Sequence, residues 1–193
     1  VIRDGRLAGM VSVADRIKAN AAETVRQLHA AGLRIIMATG DWPAENAINK
    51  YMLAQNNFPP VLYGWAEAYA AAGHSFAVLE DGGCFNCAFD DTTFKFKLTQ
   101  FEKEQQRLPT CGGVFQPFRS IELAPINAII AAHAVDILTE KVKRSQIRSW
   151  IGAQNVLLEN KGKWTDVAEQ KIKNSGAKFG QFLVQIDFDK IPT

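Results

Sequence analysis

The spacing of apolar positions changes period several times along the chain, and each change predicts an element. Residues 6–14 (Arg-Leu-Ala-Gly-Met-Val-Ser-Val-Ala) alternate and predict a strand. Asn20 is a good N-cap with Glu23 three positions on, as in a capping box, and Ala22, Val25 and Leu28 mark one face of the helix that follows. Gly32 fits the position just past its end. Leu33 to Ala38 is an apolar run with a single Arg, the pattern of a buried parallel strand. Strand, helix and strand with short connections make a βαβ unit.

A second helix starts near Pro43, buries Ala47, Ile48, Tyr51 and Met52, and ends at Asn56-Asn57. Pro59-Pro60 introduces a strand over Val61 to Gly64, and residues 74–79 are a further strand. From 80 to 120 the regular signals thin out. Glycine and proline punctuate the segment while Phe recurs at 85, 89, 94, 96, 101, 115 and 118, as in a lid or binding loop. A long apolar-faced helix resumes near Pro125 with Leu123, Ile126, Ile130, His133 and Ile137. Residues 146–158 and 178–188 read as short strands. The expected fold is α/β: a partial Rossmann-like parallel sheet with flanking helices, a loop-rich crossover segment and a small β-rich C-terminal end.

Composition narrows the function classes. The chain has 193 residues, 47% hydrophobic and 22% charged, which fits a globular protein. Its 22 Lys/Arg against 20 Asp/Glu leave a net charge of +2, which argues against a dedicated nucleic-acid binder. Lys141, Lys143, Arg144 and Arg148 cluster, and the reading for them is a solvated helix end. No apolar run is long enough for a transmembrane helix. The start is not a signal peptide and lacks Met, as in a processed chain or an excised fragment. Three cysteines rule out a disulfide scaffold and fit free thiols in a reducing cytoplasm.

The common catalytic fingerprints are missing: the sequence holds no GxGxxG, no GxxxxGK[ST], no GxSxG and no HExxH. His29, His74 and His133 are scattered; His29 reads as a solvated helix residue, and His133 reads as a hydrogen-bonded core residue. Cys84-Phe85-Asn86-Cys87 is a CxxC turn. Its thiols could be inert, half of a tetrahedral metal site, or a redox pair. Cys111, in a Pro-Thr-Cys-Gly-Gly loop, is either an ordinary loop thiol or a nucleophile.

From about 38 to 160 the chain resembles the ThiF/MoeB adenylyltransferases of the ubiquitin-activating-enzyme-like superfamily. The resemblance rests on a succession: Ala38-Thr39-Gly40-Asp41-Trp42, a helix with Glu45 and Asn49, Pro60 to Gly64, a strand, Cys84–Cys87, a variable loop with Cys111, and a long apolar helix. It implies activation of a ubiquitin-like or sulfur-carrier protein with ATP and magnesium, then thioester or persulfide capture. Cys111 would be the catalytic capturing residue, Asp41 and Asn49 would contact the cofactor, and Cys84 and Cys87 would be the first half of a zinc site. Removing half of a parallel sheet would also expose an edge and an apolar face, so a homodimer or a homologous subunit is a further expected partner. The sequence departs from the pattern in three ways. The nucleotide-binding half would precede residue 38 and is missing. Gly40 stands where the family has an Asp, with Asp41 one position late. No second CxxC follows residue 111, which leaves zinc without its second half.

Residues 1–41 resemble a different family. Asp4-Gly5-Arg6-Leu7-Ala8-Gly9, Val13-Ala14-Asp15 and Leu28 through Thr39-Gly40-Asp41 look like part of the phosphorylation domain of heavy-metal P-type ATPases, with its haloacid-dehalogenase-like fold. D-K-T-G-T and G-D-G-x-N-D do not occur, which excludes aspartyl-phosphate chemistry for this chain alone. The expected organisation is a chimera, with residues 1–41 from the ATPase-like piece and 42–193 from the C-terminal half of a ThiF-like domain. The expected function is that of a truncated ThiF-like protein. The alternative is a non-catalytic interaction module or a fragment of a heavy-metal P-type ATPase.

Overall fold

The computed structural model describes residues 2–3, 6–7, 23, 26–27, 36–39, 42–56, 58–80, 82–90, 93–104, 106–107, 114–115, 121–152, 154–175 and 182–188. Contacts divide the chain into two compact units, Val1–Arg34 and Ile35–Thr193. In the first, β1 (Ile2–Arg3) and β2 (Arg6–Leu7) form an antiparallel pair with Ile2 opposite Leu7. Glu23, Arg26 and Gln27 are helical, as expected after Asn20. Glu23 accepts hydrogen bonds from both Arg26 and Gln27, the latter at 2.9 Å, one helical turn along the same face. The rest of the expected strand–helix–strand unit, His29 included, lies mostly outside the described residues.

The larger unit is mixed α/β. Its central sheet has five strands in the order β13-β11-β5-β4-β3. These are β3 (Ile36–Thr39), β4 (Val61–Ala66), β5 (Ala72–Val78), β11 (Ser145–Ile151) and β13 (Phe182–Phe188). The expected parallel sheet is corrected here: β3 and β4, joined through helix α1 (Trp42–Leu53), form the parallel pair, and every other pairing in this sheet is antiparallel. For β4 and β5 the cause is connection length. Parallel strands need a crossover of a dozen residues or more, whereas β4 reaches β5 through residues 67–71 and must turn back on itself. That turn is tight enough to force Tyr69 (φ 58°) and Ala70 (φ 49°) into left-handed backbone.

Between β5 and helix α2 (Ala124–Leu138) the expected loop-rich crossover is built from small pieces. A 3-10 turn (Phe85–Ala88) leads into the hairpin of β6 (Phe89–Asp90) and β7 (Thr93–Phe94). Then β8 (Thr99–Phe101) pairs with β12 (Gly162–Trp164), and β9 (Gln106–Arg107) with β10 (Val114–Phe115). The recurrent phenylalanines explain how so little regular structure holds together. Phe85, Phe89, Phe94 and Phe96 pack with Trp65, Tyr63 and Phe76 on one face of the sheet. The β-rich end expected after 146 is in fact mixed. β11 stops at Ile151, helices α3 (Gln154–Glu159) and α4 (Asp166–Ser175) follow, and Gly152 marks the break. Its N–H donates to Ala71 O at 2.8 Å, and a Cβ there would meet the same oxygen at 2.2 Å.

Helix α1 is rotated from its expected orientation. Tyr51 is 65% exposed, whereas Glu45, Asn49 and Met52 are buried, so two polar residues occupy the inward face. Helix α2 buries Ile126 and His133 as its spacing predicts, and Ile130, Ala134 and Ile137 pack with Leu62, Ala77 and Val142 on the sheet. Close approach is possible because two sheet residues are glycines. A Cβ on Gly73 would lie 2.4 Å from Ile126, and one on Gly64 would lie 2.5 Å from Ile130. No helix among the described residues is long and apolar enough to cross a membrane.

Gly73→Ala should therefore destabilise the larger unit by about 1–3 kcal/mol through overpacking. Ile126→Ala, costly alone, should recover part of that loss in the double variant, a non-additivity that urea denaturation of all four proteins would measure. Additive losses would show that the helix simply shifts aside.

Candidate functional site

Two groups of chemistry-bearing side chains lie on the same face of the sheet. The first is the thiol turn. Cys84, in extended backbone, caps the 3-10 turn, and Cys87 N–H closes it on Cys84 O at 3.0 Å. Cys84 N–H donates to Cys87 Sγ at 3.1 Å, and the two sulfurs are 3.3 Å apart. Both thiols are free and half-buried. Phe85 between them is fully buried, its ring centroid 4.4 Å from Tyr63 and 4.7 Å from Phe89. The Phe85 N–H donates to Asn49 Oδ1 at 3.1 Å. Asn49, singled out in the sequence as a cofactor contact, is thus 1% exposed and braces the thiol turn from α1.

Burial, then the hydrogen bond with Cys84, pushes the Cys87 thiol up. The neighbouring Tyr63 phenol is pushed up as well, first by burial and then by the charges of Glu45 and Cys84. Asn49 Nδ2 and Tyr63 Oη are buried with no hydrogen-bond partner among the described residues, a cost carried beside the thiol turn. Cys84 and Cys87 would suit two positions of a tetrahedral zinc site. Among the described residues no group of three or more His, Cys, Asp or Glu could complete it. Asp41 and Cys111 lie outside the described residues.

The second group went unread in the sequence. Glu67, in the β4–β5 turn, accepts hydrogen bonds from Leu98 N and Thr99 N, each at 2.7 Å, and from Thr99 Oγ1. His74 Nε2 lies 2.7 Å from the same carboxylate, and His74 Nδ1 lies 2.7 Å from Ser149 Oγ on β11. Burial opposes the Glu67 charge, but the contacts from His74, Thr99 and Leu98 outweigh it and hold the carboxyl below its usual range. Serine, histidine and carboxylate in line is the order used by nucleophilic hydrolases. Here Ser149 is 1% exposed and sits on a strand paired on both sides, so no substrate carbonyl reaches its oxygen. The line is structural. A cleft of about 240 Å³ lined by Tyr69, Glu102, Lys103, Glu159, Asn160 and Lys161 includes none of these residues.

His133 lies across the sheet, fully buried, with Nδ1 2.9 Å from Ser75 Oγ. Burial and then the Arg148 guanidinium push it down to about 4. The cationic cluster is also reassigned in part. Arg148 lies on β11 rather than at a helix end, and its guanidinium donates to Asp136 Oδ2 at 2.6 Å. Lys141 approaches the same aspartate at 3.6 Å, and Lys143 approaches Glu140 at 3.5 Å.

Glu67→Gln places an amide where four donors converge and should cost about 2–4 kcal/mol by chemical denaturation, without loss of the thiol turn. His133 is neutral in the fold and easier to protonate once unfolded. Its contribution is intact above pH ~6.5, the unfolded value, and fades as pH falls toward 4, by about 3 kcal/mol in all. Denaturation series between pH 7 and 4 should therefore be steeper for the native chain than for His133→Gln.

No family model and no solved structure matches the chain. Among curated proteins, a stretch of 41 residues is 61% identical to the copper-transporting P-type ATPase of Rhizobium leguminosarum bv. viciae, covering 21% of this chain and 5% of that protein. The copper-exporting P-type ATPase of Staphylococcus haemolyticus is 50% identical over 38 residues, 20% of this chain and 5% of the relative. The silver exporting P-type ATPase of Salmonella typhimurium is 44% identical over 41 residues, with 21% and 5% covered. None of these comparisons supports the ThiF/MoeB resemblance. The chain carries a segment similar to heavy-metal P-type ATPases and spans only a small fraction of those proteins.

Proposed function

We propose that the chain is a composite, non-catalytic interaction module: a fragment of a heavy-metal P-type ATPase joined to an α/β scaffold that pairs with a second copy of itself. The observation that supports this most is the distribution of side chains in the larger unit. Glu67, His74, His133 and Ser149 are turned inward and hydrogen-bonded. Helix α2 and the residue row leading into it turn Ile121, Ala124, Ala128, Ala131, Val135 and Leu138 to the surface.

That exposed row has alternating spacings of three and four, the period of a helix–helix seam, and it carries no charge. Two copies run antiparallel would set Ile121 against Leu138, Ala124 against Val135 and Ala128 against Ala131. Bulk then meets bulk at the ends and small residues meet at the centre, and the helix dipoles oppose each other favourably. The ATPase-like fragment contributes no phosphoryl transfer in this reading, because the aspartate motif that would accept phosphate is missing from the sequence.

A second reading is kept for one observation. Asn49 and the Cys84–Cys87 turn, both drawn from the ThiF-like succession, are joined by the Phe85 hydrogen bond. In that reading the larger unit is a truncated activating domain. Cys111 captures a ubiquitin-like or sulfur-carrier protein, Asp41 and Asn49 serve a nucleotide with magnesium, and Cys84 and Cys87 start a zinc site.

Light scattering should find a dimer that Ala131→Glu converts to monomer, and Cys111→Ser should leave the dimer intact. A native chain that stays monomeric at high concentration would remove the first reading. An ATP-dependent adduct with a carrier protein, sensitive to reducing agent and lost in Cys111→Ser, would establish the second.

A further inference from the structure

The sulfurs of Cys84 and Cys87 are closer than a metal would hold them. In a tetrahedral zinc site with bonds of about 2.3 Å, neighbouring thiolates stand roughly 3.8 Å apart. Here they stand 3.3 Å apart, in mutual hydrogen-bond contact. We propose that Cys84 and Cys87 form a reversible dithiol–disulfide site, oxidised by exchange with a low-molecular-weight disulfide.

Three features of the turn favour closure. The separation of the sulfurs is fixed by the turn itself, through Cys87 N–H to Cys84 O and Cys84 N–H to Cys87 Sγ. The turn is anchored on both sides, by the buried Phe85 ring among Tyr63 and Phe89 and by Asn49 on the Phe85 N–H. Little chain entropy remains to be lost when the bond forms, so each thiol sees the other at high effective concentration. Both cysteines are half-buried and so remain partly open to solvent and to a small disulfide dissolved in it. No helix follows the pair: the turn ends in extended backbone at Phe89. The pair therefore lacks the helix start that follows the thiols of dedicated oxidoreductases, and it is a recipient of exchange rather than a catalyst of it.

The step balances in two displacements. A Cys84 thiolate attacks the small disulfide RSSR, a Cys84–SR bond forms, and RS⁻ leaves to take a proton from solvent. Cys87 then gives its proton to solvent and attacks the Cys84 sulfur, and the second RS⁻ leaves and is protonated. The protein has lost two electrons and two protons, and RSSR has become two RSH.

The test equilibrates the full chain in glutathione buffers of rising oxidised-to-reduced ratio, with and without EDTA, then quenches by alkylation and maps peptides by mass spectrometry. The expected product is a Cys84–Cys87 disulfide that dithiothreitol reopens. Cys87→Ser should stop at a glutathione adduct on Cys84. Asn49→Ala should slow closure on the order of tenfold with an unchanged circular dichroism spectrum, because the turn has lost one anchor. Glutathione adducts on both cysteines that never resolve would overturn the proposal. So would a bond from either thiol to Cys111, or a bound metal that protects both thiols until EDTA removes it.

Discussion

One carboxylate ties the larger unit together. Glu67 sits in the turn between β4 and β5 and gathers donors from three residues: His74 on β5, and Leu98 and Thr99 at the start of β8. Through His74 it extends to Ser149 on β11. The central sheet would stand without it, but among the described residues nothing else polar ties the start of β8 to that sheet at this end. A buried charge is tolerable only when its oxygens are saturated with donors, and four contacts from β5 and the start of β8 meet that demand. The cost of burying Glu67 becomes a specification of register, because a slip of one residue in β8 would turn Thr99 away from it.

The sequence makes the apolar skeleton legible and hides this polar one. Ile126, Ile130, His133 and Ile137 announce helix α2 and its buried face, since a period near 3.6 depends only on burial. Glu67, Thr99 and Ser149 are common residues more than thirty positions apart, with no local pattern to connect them. His74 could be seen but not interpreted for the same reason. The inward face of α1 misleads in an instructive way. Apolar counting favours Ala47, Ile48, Tyr51 and Met52, whereas the helix turns Glu45 and Asn49 inward to reach the thiol turn. A polar contact worth keeping outweighs the loss of one aromatic surface. Strand–helix–strand order predicts a parallel sheet, and that holds for β3, α1 and β4 and ends at the short β4–β5 connection. Of the residues singled out through the ThiF-like resemblance, Asp41 and Cys111 fall outside the described residues, and Asn49 and the CxxC turn are joined by one hydrogen bond that the succession of motifs did not foretell.

The two faces of the central sheet divide the work. One carries helix α2 on an aliphatic layer with glycine contacts beneath it. The other carries aromatic rings, the thiol turn and the Glu67 line. His74 and Ser75 are neighbours on β5, and alternation sends one to each face, where each finds a partner across the sheet layers: Glu67 and Ser149 for the first, His133 for the second. Polar residues in the middle strand are thus consistent with a strand buried on both sides.

The left-handed backbone of Tyr69 and Ala70 gives this arrangement a mechanical character. A non-glycine residue in that region stores about 1–2 kcal/mol. The tight turn puts Tyr69 there, and its side chain secures it: the hydroxyl donates to Lys103 O at 2.9 Å and the ring lies 4.7 Å from Phe101. Both partners belong to β8 or the residues just after it. The turn is therefore a loaded spring latched by the sub-sheet it supports. When β8 lifts away, the latch opens and the backbone relaxes, so this corner detaches more readily than its hydrogen bonds alone would suggest and is the natural first step of local unfolding.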